Sequence, residues 1–120
     1  MIYRVTRRQE IDCHHRLVDT VDPDSPCRRD HGHRYAFEAT FETEHLTKGV
    51  VVDFGHVSQV IKAYDHLSWN LHLENPTAEA ILALVARDLD VLCATKYQGL
   101  PQLVRLKLWE TPSSSAELIF

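Results

Sequence analysis

The chain has 120 residues, of which 44% are hydrophobic and 25% charged, and its formal net charge is −4. A chain of this length buries about two-thirds of its unfolded surface, so we expect one domain over residues 1–120 that folds without structural metal. The 13 basic residues are scattered, which argues against nucleic-acid or anionic-membrane binding. With no signal peptide, no long apolar run and three cysteines without a framework spacing, the sequence predicts a cytoplasmic protein with free thiols.

Two strand patterns occupy the first third of the chain. Residues 2–17 show an interrupted alternation, and residues 33–43 show a regular one. In the second pattern one face is apolar, with Tyr35, Phe37, Ala39 and Phe41, and the other is polar, with Arg34, Glu38, Thr40 and Glu42. This alternation predicts a half-buried strand.

Helical spacing dominates the middle of the chain. A short helix is predicted from about Gly55 to Tyr64, and a longer one in the segment ENPTAEAILALVARDLDVL. In the longer helix Asn75 can serve as the cap and Pro76 suits the first helical position. The apolar stripe of that helix comprises Ile81, Leu84, Val85, Leu89 and Leu92.

Strand patterns return in the last twenty residues. LVRLKLWE alternates after the turn YQGLP, and AELIF can supply a final strand after the turn PSSS. The predicted order is therefore ββααββ. Strands grouped at both ends around two consecutive helices indicate an α+β domain, a four-stranded antiparallel sheet with both helices on one face.

The stretch CRRDHGHRY places two histidines at the start of a predicted strand. His31 and His33 are two residues apart on an extended chain, so both rings point to the face that carries Tyr35. An H-x-H pair alone is more often a pair of surface or hydrogen-bonded histidines than a metal site. A third histidine on the same face is needed to favour metal binding.

The first strand offers either His14 or His15 as that third histidine. His15 shares the odd-numbered face with apolar residues, although Arg7 and Gln9 interrupt that face and a bulge could shift the register. If the two strands pair, His15 joins the H-x-H pair in a three-nitrogen site. Such a site leaves a fourth position open, which is typical of catalytic zinc.

Two readings of the cysteines remain open beside this one. A closed structural site from Cys13, Cys27 and the two histidines is disfavoured, because no C-x-x-C knuckle is present. Cys27 is either an inert thiol or a reactive one. Its polar loop and the two neighbouring arginines are typical of reactive cysteines.

Carboxylates supply further candidates. Asp65 precedes His66, and a carboxylate can orient an imidazole for proton transfer, although such dipeptides in loops are usually solvated. Glu110 continues the apolar face of LVRLKLWE, where a carboxylate needs a partner or can bind the N–H edge of a guanidine-like heterocycle. Glu79 is ambiguous, because an acid in the first turn of a helix can simply complement the helix dipole.

The ordered set CHHRL, CRRDHGH, VVDF, DHLSWN, NPTAE and WET resembles the 6-pyruvoyltetrahydropterin synthase superfamily over nearly the whole chain. The three-residue gap of C-x-x-x-H-G-H resembles the 6-carboxytetrahydropterin synthases of queuosine (7-deazaguanine) biosynthesis. The resemblance implies the tunnelling fold (T-fold). It also implies a homo-oligomer, a trimeric barrel that commonly stacks into hexamers, with sites between subunits.

The resemblance implies a role for each candidate residue. The zinc ligands are His15, His31 and His33, the catalytic residues are Cys27, Asp65 and His66, and the substrate-binding residues are Glu110, Thr77 and Glu79. The implied activity is a zinc-dependent (Zn2+) lyase that converts 7,8-dihydroneopterin triphosphate into 6-carboxy-5,6,7,8-tetrahydropterin, acetaldehyde and triphosphate.

Two alternatives stay open. One is a pyruvoyl-forming or otherwise side-chain-cleaving relative on the same scaffold, and the other is a non-catalytic module that binds pterin or metal. The sequence also departs from the family pattern at two places. Cys13 and His14 stand where the family usually has small residues, so either could compete for metal, and Trp69 stands where an aliphatic residue is common.

Overall fold

The computed structural model describes all 120 residues. The strands are β1 (Tyr3–His15), β2 (His31–Thr43), β3 (Gln102–Thr111) and β4 (Ser114–Ile119), and the helices are α1 (Phe54–Lys62) and α2 (Ala78–Lys96), with 3-10 turns at Pro26–Arg28 and Trp69–Leu71. The strands form one antiparallel sheet in the order β1-β2-β3-β4. The predicted ββααββ order and α+β class are therefore confirmed. Neither helix is long and apolar enough to cross a membrane.

The β1–β2 hairpin carries the longest continuous pairing in the sheet. It runs without a register shift from Tyr3↔Thr43 at one end to His15↔His31 at the other. Strict alternation is therefore preserved along β1, and His15 at its end is only 2% exposed. The hairpin register alone brings the end of one histidine-bearing strand to the start of the other.

Arg7 and Gln9 interrupt the apolar face of β1 without causing a bulge. The Arg7 guanidinium reaches α1, where its Nε donates to the Ser58 hydroxyl at 2.9 Å and its centre lies 5.9 Å from the Phe54 ring centroid. A long side chain can bury its stem and satisfy its charged end in this way. The register shift considered from the sequence does not occur.

The core lies between the sheet and the two helices. Tyr35, Phe37, Ala39 and Phe41 are all fully buried, which confirms the predicted inner face of β2. α1 packs on β1, and α2 packs on β3 and β4. The buried face of α2 contains Ile81, Leu82, Val85, Ala86, Leu89, Leu92 and Cys93. Leu84, predicted in the stripe, is only partly buried, so the buried face is centred closer to Leu82 than predicted.

The predicted start of α2 is wrong by two residues. The helix begins at Ala78, and Thr77 is its N-cap, with the hydroxyl oxygen accepting from the Ala80 backbone N–H at 3.1 Å. Asn75 instead accepts from the backbone N–H groups of Val18 and Asp19. Asparagine and threonine both cap helices well, so local preference could not decide between them.

The segment after α1 runs beside the end of β1. The His66 backbone N–H donates to the Asp12 carbonyl at 2.6 Å, and the His14 N–H donates to the Leu67 carbonyl at 3.3 Å. His14 also forms an isolated parallel bridge with Ser68. This backbone pairing fixes residues 65–68 against the histidine-bearing end of the sheet.

Candidate metal centre and active site

Three imidazoles converge where β1 ends and β2 begins. His15, His31 and His33 offer nitrogen atoms that all lie within 4.8 Å of one another. The ring centroids are 4.5 Å apart for His15 and His31, and 4.8 Å apart for His31 and His33. The hairpin register, which pairs His15 with His31, creates this cluster.

Backbone carbonyls fix how two of these rings are protonated. His15 Nδ1 lies 2.8 Å from the Pro76 carbonyl oxygen, and His31 Nδ1 lies 2.7 Å from the Arg29 carbonyl oxygen. Carbonyl oxygens only accept, so each Nδ1 must carry a proton. In the neutral rings both Nε2 atoms then present lone pairs to each other across 3.0 Å. A cation that shares the two lone pairs relieves this repulsion, and the carbonyl contacts are those of metal-ligating histidines.

The third imidazole contributes a nitrogen that has no hydrogen-bond partner. His33 Nε2 is buried, and its nearest carboxylate oxygen, on Glu110, is 3.6 Å away. Burial lowers the pKa values of His15 and His33, which favours the neutral rings that metals bind. The unpartnered nitrogen of His33 and the opposed nitrogen atoms of His15 and His31 fit a metal ion.

Neither Cys13 nor His14 belongs to this cluster. The Cys13 thiol donates to the Tyr64 carbonyl oxygen at 2.9 Å, and burial raises its pKa to about 11. His14 points to the other face of β1 and its Nδ1 lies 3.0 Å from Asp30 Oδ1. Competition for metal by either residue and the closed Cys2His2 alternative therefore find no support in the geometry.

Cys27 is held in a short turn between the two histidine-bearing strands. It lies in the 3-10 turn Pro26–Arg28, where its backbone N–H donates to the Ser25 hydroxyl at 3.2 Å. Its carbonyl accepts from the Leu17 N–H at 2.8 Å. The turn is thus tied to the chain two residues beyond His15, and the thiol is partly exposed and unbonded to another cysteine.

Asp65 and His66 form a hydrogen-bonded pair. Asp65 Oδ2 lies 3.0 Å from His66 Nδ1, while Asp65 Oδ1 accepts from the Asp12 backbone N–H at 2.8 Å. The Asp12 N–H, and to a smaller extent the His66 ring, hold the pKa of Asp65 below its ordinary value. His66 adopts a left-handed backbone conformation, with φ of 63°. Its Nε2 carries no protein contact, so it is available to a ligand.

Two cavities have His33 in their linings. One, of about 610 Å³, extends to Trp109 and Glu110, and the other, of about 400 Å³, extends to His14 and His66. The larger cavity has the size of a small-ligand pocket. Glu110 stands near a shift in the β3–β4 register between Trp109 and Thr111. The same end of the sheet therefore offers the histidine cluster, the Asp65–His66 pair and a carboxylate beside two cavities that share His33.

Thr77 and Glu79 line neither cavity. The Thr77 hydroxyl caps α2, and Glu79 is an exposed acid in its first turn. Their implied contact with substrate stays a prediction. The sequence did not indicate the carbonyl groups of Pro76 and Arg29, because backbone acceptors carry no residue-specific signal. Nor did it indicate Asp30 beside His14, which the strand pairing of His14 with Gly32 brings close.

Comparison with known proteins places this chain in a family. The model of the family described as 6-pyruvoyl tetrahydropterin synthase matches residues 4–119. A Pyrococcus abyssi protein, described as a candidate 6-carboxy-5,6,7,8-tetrahydropterin synthase, is 40% identical over 63 residues, 52% of this chain and 39% of the relative. The chain thus spans about two-fifths of that relative's length. A Pyrococcus furiosus dihydroneopterin monophosphate aldolase is 33% identical over 92 residues, 73% of this chain and 76% of the relative.

Solved structures share the fold. The 6-pyruvoyl tetrahydropterin synthase of Caenorhabditis elegans superposes with a TM-score of 0.78 at 20% identity, covering 100% of this chain and 96% of that one. At that identity the likeness concerns the fold alone. The match over residues 4–119 and the relative aligned over most of both chains decide the relationship. The chain belongs to the 6-pyruvoyl tetrahydropterin synthase family.

Proposed function

We propose that this protein is a zinc-dependent lyase that acts on the side chain of 7,8-dihydroneopterin triphosphate. The proposed reaction consumes water and yields 6-carboxy-5,6,7,8-tetrahydropterin, acetaldehyde and triphosphate, as in queuosine (7-deazaguanine) biosynthesis. The observation that carries the proposal is the opposition of two Nε2 lone pairs across 3.0 Å, beside a buried and unpartnered third imidazole.

The three histidines would hold the zinc ion, and burial lowers the pKa of His15 and His33, which favours the neutral rings that zinc binds. Zinc, when bound there, supplies a Lewis acid that lowers the proton affinity of substrate oxygens. Cys27 lies in the turn that connects the metal-binding strands, and as a thiolate it would remove a proton from a side-chain carbon. Hydrogen bonds from its backbone to Ser25 and Leu17 hold the turn, and so the thiol, in a fixed position relative to the substrate.

The Asp65–His66 pair would move protons on the substrate side chain. Asp65 accepts from His66 Nδ1, which leaves Nε2 free to act on a ligand, and His66 lines a cavity together with His33. Because Asp65 is itself fixed by the Asp12 N–H, the imidazole is held in one orientation. Return of a proton to carbon requires such a fixed donor.

Glu110 would anchor the pterin ring. A carboxylate can accept two charge-assisted hydrogen bonds from the N–H edge of a pterin, which holds the ring in one register. Glu110 lines the larger cavity together with Trp109, and His33 lines both cavities. Ring and side chain would then occupy adjoining spaces, with the reacting carbon atoms near the histidine cluster.

A second candidate is retro-aldol cleavage of a dihydroneopterin phosphate. The observation that favours it is the alignment with the P. furiosus aldolase, which covers 73% of this chain against 52% for the P. abyssi relative. In that reaction the hydroxyl proton of the second side-chain carbon is removed and the bond to the first breaks. The first carbon is then protonated, giving 6-hydroxymethyl-7,8-dihydropterin and the phosphorylated two-carbon aldehyde.

Product identification separates the two candidates. The zinc-loaded protein is incubated with 7,8-dihydroneopterin triphosphate and, separately, with the monophosphate, and pterins and aldehydes are analysed by mass spectrometry. We expect 6-carboxytetrahydropterin and acetaldehyde from the triphosphate. A hydroxymethyl product would instead establish the aldolase, a pyruvoyl product would indicate that branch, and binding without turnover would indicate a non-catalytic module.

The Cys27→Ala variant tests the assigned thiol. Since Cys27 is not among the histidine ligands, we expect the variant to keep its full zinc content and to lose at least about a hundredfold in turnover, in line with general acid–base catalysis. Cys93→Ala, on the buried face of α2, is the matched control and keeps its activity. Loss of zinc from Cys27→Ala would show that the thiol is a ligand instead.

A further inference from the structure

A second histidine that is paired with a carboxylate, His14, lines the same cavity as His66. His14 Nδ1 lies 3.0 Å and 3.1 Å from the two Asp30 carboxylate oxygens. The Asp65–His66 pair has the same arrangement, with Nδ1 against a carboxylate at 3.0 Å. Both histidines line the cavity of about 400 Å³ that also contacts His33.

The backbone of His14 is fixed in relation to this cavity. Its N–H donates to the Leu67 carbonyl, in the residue that follows His66, and its cross-strand partner is Gly32. Because Gly32 has no side chain, space beside the imidazole stays open on this face of the hairpin. Asp12 and Arg34, an ion pair at 2.8 Å, form the next wall of the cavity.

Stability does not explain the His14–Asp30 pair. The side chains are 48% and 61% exposed, and pairs exposed to this degree contribute about 0–1 kcal/mol. The pair does, however, set the direction of the ring. The carboxylate accepts from Nδ1–H, so the neutral imidazole presents Nε2 as an acceptor.

We propose that His14 binds a hydroxyl group of the dihydropterin side chain, with Nε2 accepting the hydroxyl hydrogen, and that Asp30 is its positioning residue. This inference rests on the proposed function, since it assigns the side-chain end of the same substrate. The hydroxyl-bearing chain would lie between His14 and His66, the two imidazoles of the cavity that carry an orienting carboxylate. His14 thereby determines specificity for hydroxylated side chains.

Two ligands that differ in the side chain test this inference. The probes are 7,8-dihydroneopterin, which has three side-chain hydroxyls, and 6-methyl-7,8-dihydropterin, which has none. Binding to the zinc-loaded protein is measured by titration calorimetry for the wild type, His14→Ala and His14→Gln. The control is His45→Ala, an exposed histidine at the opposite end of the sheet.

We expect His14→Ala to weaken 7,8-dihydroneopterin binding about threefold to tenfold, the loss of one hydrogen bond, and to leave the methyl probe unchanged. With the phosphorylated substrate, KM rises by a similar factor and kcat stays within about twofold. His14→Gln recovers part of the affinity, because an amide oxygen also accepts, and zinc content is unchanged in both variants. Asp30→Ala gives a smaller loss in the same direction.

Equal weakening of both probes, or no weakening of either, would overturn the role of His14. If the wild type turns over a dihydroneopterin phosphate in that case, the proposed function stands and only this inference fails. If the wild type binds neither probe and turns over neither phosphate, the proposed function and the inference fail together.

Discussion

The three cysteines differ in how deeply their thiols are buried. Cys13 and Cys93 are buried, and burial raises the pKa of each to about 11. Cys27 lies in a surface turn and is partly exposed. Only the thiolate is nucleophilic, so the reactivity of a cysteine depends on the burial of its sulfur and on the pKa of its thiol.

We predict that one thiol of the native protein reacts with an aromatic disulfide reagent at pH 8. Cys13 and Cys93 each have about 0.1% thiolate at that pH and are shielded by the core, whereas Cys27 is accessible. The released chromophore gives the count, and peptide mass spectrometry gives the position. Cys27→Ala should show no rapid reaction when native, and labelling of native Cys13 would contradict the burial argument.

The three metal-cluster histidines should differ sharply from His45 in metal binding. His15→Ala removes one ligand and also the contact with the Pro76 carbonyl. We therefore expect zinc affinity to fall by more than the 10–100-fold that is typical when a residue that hydrogen-bonds a metal ligand is lost. His31→Ala and His33→Ala should behave alike.

Zinc titration with a competing chelator measures this affinity, and thermal unfolding with and without added zinc provides an independent measurement. A ligand that binds only the native state raises Tm, so zinc should stabilise the wild type and His45→Ala but not His15→Ala. Undiminished zinc affinity in His15→Ala would show that the cluster is not the metal site.

The start of α2 is the element boundary that helix-capping preferences predicted wrongly. Thr77 caps the helix, whereas Asn75 ties the helix entry to the loop after β1 through Val18 and Asp19. Between them, Pro76 offers its carbonyl to His15. The segment therefore joins a helix N-terminus to the histidine cluster.

We predict that Thr77→Ala lowers the free energy of unfolding by about 1 kcal/mol, while Thr77→Ser changes it by only a few tenths. The reason is the lost bond from the Ala80 N–H to the threonine hydroxyl. Urea unfolding of the chelator-treated protein, in which metal makes no contribution, is the measurement. If Thr77→Ala left the free energy of unfolding unchanged and Asn75→Ala lost helix content, Asn75 would be the cap instead.

Strand parity was the part of the sequence that could be interpreted most directly. Alternation along β2 and the position of His15 on the odd face of β1 required only a period of two and an unbroken register. The sequence could not show that Arg7 would reach Ser58 instead of breaking that register. Nor could it show the carbonyl groups that orient His15 and His31, since these are tertiary contacts of backbone atoms.

At the scale of the whole molecule, the sheet has two edge strands, each of which is paired on one side only. β1 and β4 are the outer strands, and residues 65–68 cover β1 only near the histidine end. Unpaired edges favour association with another chain. Edges at opposite sides of one sheet can pair head to tail, and such contacts form a ring when the rotation between subunits closes, so we propose a homo-oligomer, a trimer or hexamer, with sites between subunits.

We predict that Ser115→Pro disrupts this assembly without unfolding the subunit. The Phe120 N–H donates to the Val104 carbonyl, so by alternation along β4 the Ser115 N–H points away from β3. Proline there removes an outward donor and keeps the β3–β4 ladder. Sedimentation equilibrium should give a multiple of 13.8 kDa for the wild type and for Ser115→Ala, and a smaller mass for Ser115→Pro. If sites form between subunits, activity falls with the mass, and an unchanged mass would exclude the β4 edge from the interface.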